Sequence, residues 1–187
     1  MKTILQVEDD PNDVFLMRHA MKKVGVLNPV QVASDGQQAV DYMQGAGKFA
    51  DREKYPFPCL VLLDLKLPYV MGLEVLKSIR QQPGPVVPVI MLTASSQASD
   101  LFSAYRLGAN AFLTKPSEAR KLEEMVKAIK DFWLTHNMLP QEPLPESPLE
   151  GVVCLAQSFA TGFKGTPPPA ASRNSRQSFP YTTGSSL

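Results

Sequence analysis

The chain has 187 residues, 44% of them hydrophobic and 20% charged, with a formal net charge of +1. This is globular composition, with apolar material for one core and length for an appendage but not comfortably for a second full domain. A balance so near neutrality removes any bulk electrostatic case for nucleic acid or an anionic membrane as partner.

Residues 3–7 form an apolar run that Glu8, Asp9 and Asp10 break before it could act as a signal peptide, and no run elsewhere is long enough to span a bilayer. The expectation is a soluble, cytoplasmic protein. Cys59 and Cys154 lack metal-ligand spacing and read as free reduced thiols. Short apolar runs at 3–7, 30–33, 60–63, 87–92 and 111–113 read as strands, and the third and fourth are nearly continuous Val, Ile, Leu and Met, as strands covered on both faces require. Between them lie helix-spaced stripes, Val14, Met17, Met21 and Val24 in the first and Leu122, Met125, Val126, Ile129 and Trp133 in the last. Asp10-Pro11 supplies a cap and a proline at the permitted first position of a helix. Gly36, Gly72 and Gly108 mark turns or helix ends, and 48–58 reads as a long exposed loop. Strands alternating five times with helices predict an α/β domain with a doubly wound, five-stranded parallel sheet over residues 1–137. From 138 to 187 the chain becomes Pro/Ser-rich and reads as a largely disordered tail, with one small apolar patch at 152–155, Phe159 and Phe163.

In a parallel sheet the loops after the strands' carboxyl ends gather at one edge, so polar residues at those ends converge although distant in sequence. The first strand delivers Glu8, Asp9 and Asp10 there, the third Asp64, the fourth Thr93, and the fifth Lys115 followed by Pro116. The second delivers Ser34 and Asp35, to which no role is assigned. Several carboxylates in one place call for a cation, and oxygen ligands of this kind suit magnesium, Mg2+. A carboxylate such as Asp64 can accept a phosphoryl group if the negative charge gathering between the two anions is neutralised, partly by an ammonium such as Lys115. The Thr93 hydroxyl is placed to donate to the attached phosphate. Each residue alone has an ordinary explanation as a cap or a surface group, and the reading rests on their order at successive strand ends.

Glu8-Asp9-Asp10-Pro11, Leu63-Asp64-Leu65-Lys66-Leu67-Pro68 with Met71-Gly72, Met91-Leu92-Thr93-Ala94 and 107–116 with its closing Thr114-Lys115-Pro116 fall in register with the receiver domains of response regulators in two-component signalling. Over residues 1–137 the chain resembles that family, and the long loop at 48–58 with Leu107-Gly108-Ala109-Asn110 is similar to the single-domain regulators that serve phytochrome kinases. The resemblance implies a flavodoxin-like receiver fold with strand order 2-1-3-4-5. It implies Asp64 as phosphoacceptor, Mg2+ held by Asp9, Asp64, Glu8 through water and the Lys66 backbone carbonyl, and Thr93 and Phe112 as the switch. It also implies a cis bond before Pro116 that would aim Lys115 into the site. The expected partners are a sensor histidine kinase, with the phytochrome type as the finer expectation, and a second copy joined through the fourth helix, fifth strand and fifth helix. Met71 departs from the family's Asp before the glycine, at a position outside the site.

An aspartate-nucleophile phosphatase would need a second acid at the place of Lys66. A P-loop is excluded because Gly45-Ala46-Gly47-Lys48 lacks the earlier glycine and the following Ser or Thr. A receiver-like module that binds without being phosphorylated would lack the acceptor, the lysine or the acids, and this chain keeps them all. His19 and His136 read as solvated side chains and not as phosphoryl carriers. The expectation is a phosphoacceptor signalling protein and not an enzyme, with a tail too short and too weakly basic to read DNA.

Overall fold

β-branched and aliphatic residues fill five short runs, and each becomes a strand: β1 (Thr3–Val7), β2 (Val30–Ala33), β3 (Pro58–Asp64), β4 (Val89–Thr93) and β5 (Ala111–Thr114). The helices between and after them are α1 (Pro11–Val24), α2 (Gly36–Gln44), α3 (Gly72–Gln81), α4 (Ala98–Arg106) and α5 (Ala119–Ile129), the last continued by a wider π-type stretch, Lys130–His136. The computed structural model describes residues 2–94 and 97–139. All but the first two residues of the expected tail, with Cys154 and the apolar patch, therefore lie outside the described residues. The five strands form one parallel sheet in the order β2-β1-β3-β4-β5, the expected doubly wound topology. Among the described residues no helix is long and apolar enough to cross a membrane.

Period-two alternation divides the core between the two faces. Ile4, Leu60, Leu62, Ile90 and Leu92 meet Met17, Ala20 and Met21 of α1 and Leu122, Val126 and Ile129 of α5. Leu5, Val7, Val61, Leu63, Val89 and Met91 meet α2, α3 and α4 through residues such as Tyr42, Leu76 and Ala104. Followed past the strand ends, the same alternation puts Glu8, Asp64 and Lys115 in step with the first face, and Thr93 and Phe112 in step with the second.

Two boundaries differ from the sequence expectation because of proline. β3 begins two residues early at Pro58, since a first strand position tolerates a missing N–H, whereas β4 begins only at Val89, because Pro88 can donate nothing to a central ladder. The segment 48–58 is not the exposed loop expected. Phe49 is buried, Tyr55 and Phe57 pack on the core beside it, and the Tyr42, Phe49 and Tyr55 rings meet edge-on or tilted at 5.1–6.1 Å. The Tyr42 hydroxyl donates to the Pro56 carbonyl at 2.9 Å, and the Arg52 guanidinium donates to the Tyr42 and Met43 carbonyls at the end of α2, each at 2.8 Å. Aromatic burial and a carbonyl-capping arginine thus pin a stretch whose sequence shows no periodicity.

Candidate functional site

Glu8 stands one residue past β1, and it is buried, as is Asp64 at the end of β3. A buried carboxylate requires a partner. Lys115, one residue past β5, supplies it: its Nζ donates to Glu8 Oε2, to Asp64 Oδ2 at 3.2 Å and to Asp13 Oδ2 at 2.9 Å. Asp64 Oδ1 accepts from the Leu65 N–H at 2.6 Å, and Glu8 Oε1 from the Asp10 N–H at 3.4 Å. Burial raises the Glu8 carboxyl to about 7 against the pull of its Lys115 hydrogen bond and charge, with the Asp64 and Asp13 charges adding to the rise. Burial alone would lower Lys115, but its hydrogen bonds to Glu8 and Asp13 and the charges of Asp64 and Glu8 outweigh it, so its proton is held more firmly than in an ordinary lysine.

Exposed Asp9 completes the cluster: one carboxylate oxygen each from Glu8, Asp9 and Asp64 lies within 4.8 Å of the others. Three carboxylates share the single ammonium and Asp9 stands beside two of them, which leaves more acids than cations. The donor set is oxygen only, and this fits a hard divalent cation. Thr93 is buried at the end of β4, and its carbonyl accepts from the Lys115 N–H at 2.7 Å. Phe112, half-buried, packs on the second face, where its strand neighbour is Met91 and that of Thr93 is Thr114. The Lys66 side chain is exposed, two residues after Asp64. Asp10 serves as the cap of α1, its side chain accepting from the Asn12 N–H at 2.8 Å.

The bond before Pro116 is trans, because the described chain has no cis peptide, and this corrects the expectation drawn from the family. Lys115 is aimed into the site by its backbone bond to Thr93 and by its three carboxylates. The connection from β3 to α3 is tightly set against the backbone: a Cβ on Gly72 would fall 2.1 Å from the Asp64 carbonyl oxygen. Within it Tyr69 takes φ 65°, with the Val70 N–H bonded to the Pro68 carbonyl at 2.8 Å, a three-residue turn of the strained left-handed kind that leaves the ring almost wholly exposed. Sequence reasoning missed both Asp13 and this turn. Asp13 carries only the ordinary signal of an acid in the first turn of α1.

The family of response regulator receiver domains matches residues 4–127. The response regulator Rcp1 of Synechocystis sp. is 37% identical over 140 residues, 74% of this chain and 93% of that protein. The crystal structure of the phosphorylated cyanobacterial phytochrome response regulator RcpA is similar at TM-score 0.68 and 35% identity, covering 75% of this chain and 99% of that one. The crystal structure of the Mn2+-bound form of response regulator Rcp1 is similar at TM-score 0.66 and 36% identity, with 75% and 99% covered. With five parallel strands in the receiver order and buried acids meeting a lysine at their carboxyl ends, the chain belongs to the response regulator receiver domain family of two-component signalling.

Proposed function

We propose that Asp64 is the phosphoacceptor, taking a phosphoryl group from the phosphohistidine of a sensor histidine kinase. An Asp64 oxygen forms a bond to phosphorus as the phosphorus–nitrogen bond breaks and the imidazole leaves. One observation carries this reading: Asp64 ends an apolar strand yet shares a carboxylate cluster with Glu8 and Asp9 and accepts a hydrogen bond from Lys115. Glu8, Asp9, Asp64 and the Lys66 carbonyl would hold Mg2+, which when bound supplies positive charge against the two anions. Lys115 places its ammonium where phosphoryl oxygens arrive. The Thr93 hydroxyl then donates to the attached phosphate, and Phe112, in step with it on the same face, turns inward. Any catalysis is confined to the chain's own phosphorylation and dephosphorylation.

The names of Rcp1 and RcpA favour a phytochrome-type kinase as donor. The output surface is α4, β5 and α5, where Leu101, Phe102 and Tyr105 stand exposed on α4, and a second copy of the chain is its partner there. Intact mass after incubation with Mg2+ and a small phosphodonor should show one phosphate on the wild type and none on Asp64→Asn. Equal uptake by both proteins removes Asp64 as acceptor.

A further inference from the structure

A lysine ammonium has three N–H donors, and here each has its own carboxylate, from Glu8, Asp13 and Asp64. Two of these acceptors belong to the trio close enough to share a divalent ion, and Asp13 does not. Cation and ammonium therefore draw on the same two carboxylates, those of Glu8 and Asp64. An ammonium left on them weakens the cation's hold, and one pushed into water is lost to the phosphoryl group. Asp13 removes that conflict. It is the third residue of α1, with 39% of its side chain exposed against 5% for Glu8 and 11% for Asp64, so it sits on the solvent side of the same nitrogen. Leu16, Met17, Pro116 and Leu122 line a cavity of about 40 Å³ with Asp13 and Lys115, an apolar wall against which that ion pair is stronger than in open water.

We propose that Asp13 is a positioning residue that takes over the Lys115 ammonium when a divalent cation occupies Glu8, Asp9 and Asp64, keeping it out of the cation's carboxylates and beside the phosphoacceptor. The inference rests on the metal reading above. Asp13 needs no contact with the ion or the phosphoryl group, and its influence passes through Lys115.

The test is a double-mutant cycle on Mg2+ affinity, measured by calorimetry on the full chain for wild type, Asp13→Asn, Lys115→Gln and the double variant. Asp13→Asn should weaken Mg2+ binding about five- to tenfold when Lys115 is present and less than about twofold in the Lys115→Gln background. Asp13→Glu, which restores the carboxylate, should recover most of the loss. Asp13→Ala serves as a second uncharged variant, with thermal melting to show that each protein is folded. Equal losses in both backgrounds would make Asp13 a bare charge near the site and overturn the proposal, as would no loss in either. A wild type that takes up no Mg2+ overturns the metal reading and this inference together, whereas tight wild-type binding with additive substitutions overturns the inference alone.

Discussion

The two edges of the sheet each hold half-buried cations and use them in opposite ways. At the amino ends of the strands, Arg52 caps α2 through carbonyls, and Arg80 donates to the Gly108 carbonyl at 2.9 Å, the Val87 carbonyl at 3.0 Å and Asn110 Oδ1 at 2.8 Å. Asn110 Oδ1 in turn accepts from the Val89 N–H at 2.9 Å, so one guanidinium ties α3 to the starts of β4 and β5. At the carboxyl ends Lys115 is divided among three carboxylates. Neutral acceptors matched to a planar fork fix a shape and leave no charge to reassign. Carboxylates that outnumber their ammonium leave a surplus, and a second cation or a phosphoryl group can rearrange it.

The comparison breaks most visibly at Arg80. Arg80→Ala takes the guanidinium from two carbonyls and one of two donors from the Asn110 amide oxygen, and the expected cost is about 2–4 kcal/mol by urea denaturation, with phosphate uptake by Asp64 retained. The same cost is expected with and without Mg2+. A loss that Mg2+ restores would mean that the two edges are energetically one network.

Lys115→Met should show the opposite signature. The substitution keeps the aliphatic stem and leaves Glu8 and Asp64 buried without their cation, at about 1–3 kcal/mol in the absence of divalent ions. Added Mg2+ should return a large part of that loss, because ion binding to the folded state alone stabilises it by mass action. Denaturation midpoints measured with EDTA and with Mg2+ decide the matter, and an Mg2+-independent loss would count against the lysine and the metal sharing the same carboxylates.

The same contrast explains what could be read from the sequence. β1 and β2 are legible to the residue, because an apolar run bounded by acids or Ser-Asp is unambiguous. Glu8, Asp9, Asp64, Thr93 and Lys115 are legible as one group because a parallel sheet forces its strand ends to converge. Asp13 is not, since an acid in the first turn of a helix is already accounted for by the helix dipole, and only the position of Lys115 shows a second use. The amino-end edge is nearly silent in sequence. Arg52, Arg80, Phe49 and Tyr55 act through backbone carbonyls and ring edges, which carry no residue signature, and this is why 48–58 reads as exposed while Phe49 is buried. The trans bond at Pro116 lies beyond pattern reading too, as both isomers share one sequence.

The smallest expected effect tests whether burial is what gives the charges of either edge their weight. Lys23 and Glu123 form an ion pair at 2.7 Å between α1 and α5, shorter than the Lys115 contacts to Asp13 and Asp64, but their side chains are 60% and 24% exposed. Water and salt screen such a pair, and holding two long side chains together costs entropy, so the expected coupling is about 0.5 kcal/mol or less. Lys23→Ala, Glu123→Ala and the double variant, melted at low and at high salt, measure it. A coupling above about 1 kcal/mol that survives high salt would show that distance, and not burial, sets the strength of these contacts. The contrast between Lys115 and the surface would then lose its physical basis.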